Sequence, residues 1–336
     1  MFLNVLENVE IGHIEVEFPD GTTRSFGDSS APADLRSRLV VRDAAFFSRL
    51  VHSADLGFAE GFIAGEADVT DLTALIKVFI FNRDRMGNLD TRFAWAGHLL
   101  ARISHLRAAN VIGKAQENVS AHYDLSNDLF ETFLDPSMTY SCAIFESEEE
   151  SLETAQLRKI RRVLDKARIK PGAHLLEIGS GWGALSIEAA RSYGCRVTTL
   201  TLSREQKALA DQRIAAAGLS DRIEVRLCDY RLLEGQFDAI VTVEMAEQVG
   251  HDFLGAFFAV CERLLKPDGV IVHQIITMPD YRYNDYLRGC DFIQKHIFPG
   301  TCSPSITAIM NAVTDNTKLV LENLENIGPH YARYAF

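Results

Sequence analysis

The chain has 336 residues, of which 47% are hydrophobic and 24% charged, a composition that excludes a disordered chain and supplies a folded core. Its formal net charge of −12 argues against a nucleic-acid binder, which ordinarily carries a basic surface. No apolar run approaches the roughly 18 residues of a membrane span, and the N-terminus lacks the basic region of a secretory signal. Any membrane contact is therefore expected to be peripheral.

Residues 1–115 are predicted to form a smaller N-terminal α+β domain associated with lipid or membrane. Residues 12–26 alternate apolar and polar side chains around Pro19-Asp20-Gly21, which predicts a hairpin. The periodicity of residues 42–51 and 71–82 then predicts helices.

A basic segment, residues 83–114, closes this predicted domain and carries only two acidic residues. Its basic residues are Arg83, Arg85, Arg92, Arg102, Arg107 and Lys114. Apolar and aromatic residues, among them Phe93 and Trp95, lie between them. Such a segment is suited to anionic lipid headgroups, and an ordinary solvated helix packed on the core is the alternative.

Residues 116–336 are predicted to form a Rossmann-like α/β domain. From about residue 152, a long helix is followed by short apolar strands that alternate with helices. The predicted strands are 174–178, 196–200, 223–227, 237–244 and 269–276. This alternation predicts a mostly parallel sheet covered by helices on both faces.

A glycine-rich turn, residues 179–183, follows the first of these strands. Glycines permit a sharp turn and the close approach of a ligand, and in such sheets nucleotide-like ligands bind at this turn. A dinucleotide site has G-x-G-x-x-G and an acidic residue about 20 positions later. Here the spacing is G-x-G-x-G, the acid Glu177 lies on the strand, and Thr201-Leu202-Ser203 ends the next strand. These departures favour S-adenosylmethionine over NAD.

Asp229 lies just past the predicted strand 223–227. In that position a carboxylate could accept a hydrogen bond from an adenine amino group. A simple turn or cap residue is the alternative.

Four further segments, residues 122–145, 201–206, 243–252 and 291–300, together with LEIGSGWG, resemble the cyclopropane-fatty-acid synthase family, which includes the mycolic acid cyclopropane synthases. The resemblance covers nearly the whole chain. It implies a class I methyltransferase fold with a seven-stranded, mostly parallel sheet. It also implies S-adenosylmethionine and bicarbonate as cofactors.

The resemblance implies eleven cofactor-binding residues. Among them, the glycines line the methionine and ribose side, and Asp229 and Tyr230 hold the adenine. The eleven are Tyr140, Ser141, Glu177, Gly179, Gly181, Gly183, Thr201, Leu202, Gln206, Asp229 and Tyr230. The first two close over the cofactor. Thr201, Leu202 and Gln206 replace the usual ribose-binding acid.

The family's bicarbonate site is implied at five positions, which are Cys142, Glu247, His273, Ile275 and Tyr331. Ionised Glu247 would accept the bicarbonate O–H, while His273, Tyr331 and backbone N–H groups donate. Taken singly, these residues have ordinary alternatives, since Cys142 and His273 could belong to the core and Glu247 could be a cap. No C-x-x-C pair or zinc-ligand spacing occurs among the six cysteines (142, 195, 228, 261, 290 and 302), so reduced thiols and no metal are expected.

The implied reaction is methyl transfer from the sulfonium to the cis double bond of an unsaturated phospholipid acyl chain. The resulting carbocation loses a proton to bicarbonate and closes a cyclopropane ring. Phe145 and Phe298 are candidate walls that exclude water. The alternatives are a methyl-branched or methylene product, a methyltransferase for a soluble amine or hydroxyl, and a cofactor- or lipid-binding protein with little turnover.

Two departures from the family pattern affect the acyl pocket. Residues 298–305 read FPGTCSPS, without the family's second glycine and leucine. Only five residues follow Tyr331, so the C-terminal cover of the pocket is expected to be incomplete. The expected partners are unsaturated phospholipid acyl chains, the cytoplasmic face of the membrane and a second copy of the chain in a homodimer, with no nucleic acid.

Overall fold

The computed structural model describes residues 2–86 and 127–334, and these group into two compact units. The first contains residues 2–86 and Arg288–His296, and the second contains residues 127–287 and 297–334. The predicted domain boundary at 115 and most of the basic segment lie outside the described residues. Among the helices that are described, none is both long and apolar enough to cross a bilayer.

The first unit packs helices on a four-stranded sheet. Its helices are α1 (Phe2–Leu6), α2 (Ala45–Ile63), α3 (Leu72–Phe81) and α4 (Arg83–Met86), and its strands are β1 (His13–Glu17), β2 (Thr23–Gly27), β3 (Arg36–Val41) and β4 (Ala67–Val69). The sheet order is β2-β1-β3-β4, and the antiparallel pair β1–β2 confirms the predicted hairpin. Ion pairs from Lys295 and His296 to Glu60 of α2 attach the segment Arg288–His296 to this unit.

The second unit is a parallel α/β domain, as the sequence predicts. Its strands are β5 (His174–Ile178), β6 (Arg196–Thr201), β7 (Ile223–Leu227), β8 (Phe237–Val243) and β9 (Leu265–Gln274). Its helices are α5 (Asn127–Glu131), α6 (Leu152–Lys166), α7 (Ala184–Ser192), α8 (Arg204–Ala216), α9 (Leu254–Leu264), α10 (Asp280–Arg288), α11 (Ile306–Asn316) and α12 (Tyr331–Tyr334). All neighbouring strands are parallel, in the order β7-β6-β5-β8-β9.

Helices cover both faces of this sheet because successive strand residues point in opposite directions. Leu175 of β5 packs into one apolar cluster with residues of α6, α7 and α8. Its neighbour Leu176 packs into a second cluster with residues of α9 and α11. The chain adds strands on one side of β5 and then returns to its other side, so a crevice is expected at the carboxyl ends of β5 and β8.

The predicted strand number is wrong for the described residues, since this sheet has five strands and the prediction was seven. Residues 317–327 follow α11 without any strand pairing. Ion pairs hold this segment against α6 and against Arg168, which follows that helix. Arg162 and Lys166 pair with Glu325, and Arg168 pairs with Glu322. These side-chain contacts keep the segment beside the helix, and it adds no strand.

Replacing Leu175 with alanine is expected to cost about 2–5 kcal/mol of the free energy of unfolding. This side chain is fully buried in the central strand, so its truncation leaves a cavity that the surrounding side chains cannot fill. Urea unfolding measures the change. Leu324→Ala is the control, because that leucine is 63% exposed and its truncation should change stability by less than about 0.5 kcal/mol.

Candidate active site

A cleft of about 1210 Å³, open to solvent, lies at the carboxyl ends of β5, β6 and β8. Ten of the eleven residues predicted to bind the cofactor line it, and only Gly183 does not. The ten are Tyr140, Ser141, Glu177, Gly179, Gly181, Thr201, Leu202, Gln206, Asp229 and Tyr230. The structure therefore brings together residues that are spread over 91 positions of sequence, from 140 to 230.

The glycine-rich bend has the backbone that its sequence predicts. Gly179, Gly181 and Gly183 all have positive φ values, of 98°, 48° and 89°. A Cβ on Gly181 would meet nothing within 4 Å, and since this residue lines the cleft, the free space belongs to the ligand side. A Cβ on Gly183 would instead contact Ala210 at 3.4 Å, so Gly183 shapes the bend from behind.

Glu177 lies in the cleft wall with its carboxylate tied to its neighbours. Its Oε2 accepts hydrogen bonds from Ser186 Oγ at 2.5 Å and Thr199 Oγ1 at 2.7 Å. Burial raises the pKa of this carboxyl to about 7, although the two hydrogen bonds oppose that rise. Cofactor contact by Glu177 remains a prediction.

The end of β6 is fixed by a short polar network. Thr201 Oγ1 donates to Gln206 Oε1 at 2.8 Å, and Ser203 caps α8 by accepting the Gln206 N–H at 3.1 Å. This arrangement holds Thr201 and Gln206 at the cleft although no acidic residue is present there.

Asp229 caps a short 3₁₀ helix and also lines the cleft. Its side chain accepts hydrogen bonds from the backbone N–H of Arg231 at 3.0 Å and from the Arg231 guanidinium at 2.9 and 2.5 Å. Burial alone would raise the pKa of this carboxyl, but the contacts with Arg231 lower it, so it is ionised at neutral pH. The cap alternative is thus confirmed, and adenine binding by the same carboxylate remains a prediction.

Lys159 of α6 is a cleft residue that the sequence did not single out. Its ammonium group is buried and donates a hydrogen bond to Ser141 Oγ. Burial lowers the pKa of Lys159 to about 8, while nearby Glu244 opposes the shift. Gln156, one turn earlier, donates to the carbonyl oxygens of Thr139 and Ser141, so α6 positions the segment 139–141.

The five residues predicted for bicarbonate do not line this cleft. His273 is buried beside Phe257 and Phe258, and its Nδ1 lies 2.7 Å from Thr242 Oγ1. Ile275 packs on the apolar cluster of α9 and α11. Burial lowers the pKa of His273 to about 4, which makes the imidazole neutral as expected.

Glu247 is buried next to the cleft and differs from the prediction in charge. Its Oε1 accepts a hydrogen bond from the Ile276 N–H, and its Oε2 has no partner within the described residues. Burial, followed by repulsion from Glu244, raises the pKa of this carboxyl to about 8. Glu247 is thus protonated at neutral pH, and the ionised form expected from sequence is disfavoured.

Glu244 is the second cleft residue that the sequence did not single out. Its Oε1 accepts hydrogen bonds from the Cys142 N–H and from Gln274 Nε2, both at 2.9 Å. The Tyr331 hydroxyl also donates to this carboxylate. A glutamate at the last position of the predicted strand 237–244 gave no sequence signal for these contacts, because its partners are 30 to 102 positions away.

The sequence model of the mycolic acid cyclopropane synthetase family matches residues 112–334, more than half of the chain. The chain belongs to this family. It is therefore an S-adenosylmethionine-dependent methyltransferase of the cyclopropane-fatty-acid synthase type, and the cleft lined by the ten predicted residues is its candidate cofactor site.

Similar proteins cover most of the chain. It is 38% identical to the tuberculostearic acid methyltransferase UfaA1 of Mycobacterium tuberculosis over 326 residues, which are 95% of this chain and 75% of that protein. It is 35% identical to the cyclopropane-fatty-acyl-phospholipid synthase of Escherichia coli K12, over 90% of this chain and 75% of the relative. The solved mycolic acid cyclopropane synthase CmaA1, complexed with SAH and CTAB, aligns with a TM-score of 0.61 and 35% identity, over 65% of this chain and 80% of that one.

Proposed function

We propose that this methyltransferase alkylates the cis double bond of an unsaturated fatty-acyl chain of a phospholipid. The observation that carries the proposal is the single cleft in which the glycine bend, Tyr140 and Glu244 face the same space. The E. coli relative is named for a fatty-acyl phospholipid product. CmaA1 was solved with CTAB, a long-chain alkyl cation, which is compatible with an acyl substrate for this fold.

The residues of the cleft divide into a cofactor side and an apolar side. Gly181, Thr201 and Asp229 would hold S-adenosylmethionine, which supplies an electrophilic methyl group when bound. The ring of Tyr140 packs on those of Phe130 and Phe133, and the centre of the Phe298 ring lies 6.5 Å from the centre of the Tyr140 ring. This aromatic wall would exclude water, which otherwise captures a carbocation.

Phe145, the other predicted wall residue, packs away from the cleft lining in a cluster with Ala143 and Ala155. The guanidinium of Arg333 lies 4.4 Å from its ring centre. We assign Phe145 to the support of the segment 139–145. Water exclusion is kept for Tyr140, which lines the cleft, with Phe298 packed behind its ring.

A cyclopropane ring is the first candidate product, and a methylene chain is the second. Both arise from the same methylated carbocation by loss of one proton. A product other than a ring is considered because one relative, 38% identical to this chain, is named a tuberculostearic acid methyltransferase and not a cyclopropane synthase. A saturated methyl branch would need a hydride donor in addition.

Bicarbonate fits the described residues poorly. Two buried atoms without partners, Glu247 Oε2 and His273 Nε2, do favour a small polar ligand near them. However, the Cys142 N–H and the Tyr331 hydroxyl, two of the donors expected for bicarbonate, already face the carboxylate of Glu244. Glu247 would have to be an anion to accept the bicarbonate O–H, but burial holds this carboxyl in its neutral form.

The place of the reaction is proposed to be the cytoplasmic face of the membrane, with residues 1–115 in peripheral contact with lipid. The chain as a whole is acidic, with a formal net charge of −12. Only its basic segment, residues 83–114, is therefore expected to bind anionic headgroups. A homodimer is proposed as the state in which a second chain covers the acyl pocket. Vesicle co-sedimentation and light scattering test these two points.

Mass spectrometry of unsaturated phospholipid vesicles incubated with the protein and S-adenosylmethionine tests the proposed function. We expect a gain of about 14 mass units per modified chain, the mass of one CH₂ group. Loss of alkene reactivity indicates a ring, and retained reactivity indicates a methylene group. Vesicles of saturated phospholipid are the control, and methylation of soluble amines without methylation of lipid would contradict the proposal.

A further inference from the structure

The Glu244 carboxyl group lines the cleft and is held by a set of hydrogen-bond donors. Its Oε1 accepts the Cys142 N–H and Gln274 Nε2, and the Tyr331 hydroxyl donates to the same group. Burial raises the pKa of Glu244, while these three donors and Lys159 oppose that rise and favour the carboxylate. Because the side chain also lines the cleft, it meets both the donor set and the substrate space.

A second anion in this position would be repelled. Burial, and after it repulsion from Glu244, raises the pKa of the neighbouring Glu247, and a further anion beside Glu244 would meet the same repulsion. Lys159 is the nearby cation, and its ammonium group donates to Ser141 Oγ. A bicarbonate ion at this position would place a second negative charge beside Glu244.

The backbone holds Glu244 in a conformation that a non-glycine residue rarely adopts. Its φ is +49°, just after β8 ends at Val243. Its N–H donates to the Gln274 carbonyl oxygen at 2.8 Å, and Gln274 Nε2 also donates to the Cys142 carbonyl oxygen at 3.1 Å. Strain of this kind persists where the surrounding structure imposes it, and it concentrates at functional sites.

We propose that Glu244 is the catalytic base and takes the place that the family resemblance implied for bicarbonate. The inference rests on the proposed function. Methyl transfer breaks the carbon–sulfur bond and forms a carbon–carbon bond, which leaves a cation on the acyl chain. Glu244 then removes one proton from the added methyl group. The C–H electron pair closes the ring, and the proton remains on the carboxyl until solvent takes it.

No second reactant is required by this step. A carbocation is a strong acid, so a carboxylate is basic enough once it lies within reach of the proton. For a methylene product, a hydride first shifts to the cationic carbon, and the C–H electron pair of the methyl group then forms the double bond. In both cases one proton is delivered to Glu244.

The test compares wild-type protein, Glu244→Gln and Glu244→Gly on unsaturated vesicles in carbonate-depleted buffer. Wild-type turnover should be unchanged when bicarbonate is removed. Glu244→Gln should lose at least about 100-fold in turnover, at the lower end of general-base effects. Its affinity for S-adenosylmethionine, measured by calorimetry, should stay within about threefold, since the change removes no cofactor contact.

Glu244→Gly vacates the anion position and also suits the positive φ. Added formate or bicarbonate should restore part of its turnover by binding to the Cys142 N–H and the Tyr331 hydroxyl. Asp238→Asn is the matched control, because this acid lies near the other end of the same strand and should leave turnover unchanged.

The proposal is overturned if wild-type turnover falls without bicarbonate and returns when it is added, or if Glu244→Gln keeps wild-type turnover. A wild-type protein that never methylates lipid contradicts the proposed function itself, so the two failures are distinguishable. Methylated alcohols from Glu244→Gln, formed when water captures the cation, would support the assignment directly.

Discussion

Replacing Gly181 with alanine is expected to weaken the binding of S-adenosylmethionine about 100-fold, or ~2.7 kcal/mol. Gly181 has a φ of +48° and lines the cleft, and apart from its chain neighbours no atom of the described residues lies within 4 Å of the position its Cβ would take. The added methyl group therefore meets no neighbouring residue and projects into the space of the cofactor. Isothermal calorimetry measures the loss of affinity.

Backbone strain has to be separated from this steric effect. Gly218, at the end of α8, has a φ of +68° and likewise has nothing within 4 Å of its Cβ position, but it does not line the cleft. Because both glycines have a positive φ, Gly218→Ala and Gly181→Ala should lose a similar amount of the free energy of unfolding. Gly218→Ala should nevertheless bind the cofactor with wild-type affinity. Equal affinities for the two variants would show that the bend does not contact the cofactor.

The convergence of the predicted cofactor-binding residues on one cleft follows largely from local patterns. The glycine spacing and the residues at the ends of β5 and β6 follow directly from strand–turn–helix patterns. Once the strands are parallel and adjacent, their carboxyl ends must meet at one edge. Ten residues identified from motifs therefore line one cleft.

The contacts around Glu244 and the charge of Glu247 could not be predicted from the sequence, because they depend on long-range contacts and on electrostatics. The bond between the Cys142 N–H and Glu244 joins residues 102 positions apart. The sequence also shows Glu247 as an acidic residue without showing its burial, and burial is what sets its charge. Chemical type can thus be read from the chain, whereas protonation state requires the fold.

The same distinction explains the missing strands. Residues 318–321 are partly apolar and could have been a strand by composition, yet ion pairs from Glu322 and Glu325 hold this segment beside α6. Val320 is left 82% exposed. Local pattern permits a strand here, but the segment pairs with no strand and contacts α6 and Arg168 through ion pairs.

Glu247 is expected to contribute a fall in the free energy of unfolding as pH rises from about 4.5 to about 8, and Glu247→Gln should remove that contribution. Burial and then repulsion by Glu244 raise the pKa of Glu247 from 4.5 to about 8. Within this window the unfolded chain releases the proton of Glu247 and the folded chain retains it. Higher pH therefore favours the unfolded state, by at most about 1.4 kcal/mol per pH unit from this group.

Urea unfolding at several pH values measures the slope. Glutamine resembles the protonated acid in shape and cannot ionise, so the variant should be flatter than wild type, with any remaining slope due partly to Glu244, whose pKa burial also raises. Asp238 supplies a control of opposite sign, because its hydrogen bond from Lys266 lowers its pKa and its stabilisation is lost as pH falls. Asp238→Asn should therefore alter the acid side of the profile and leave the slope above pH 5 intact. Should Glu247→Gln show the wild-type slope, Glu247 is ionised in the fold, and the case for a bicarbonate acceptor at this position is restored.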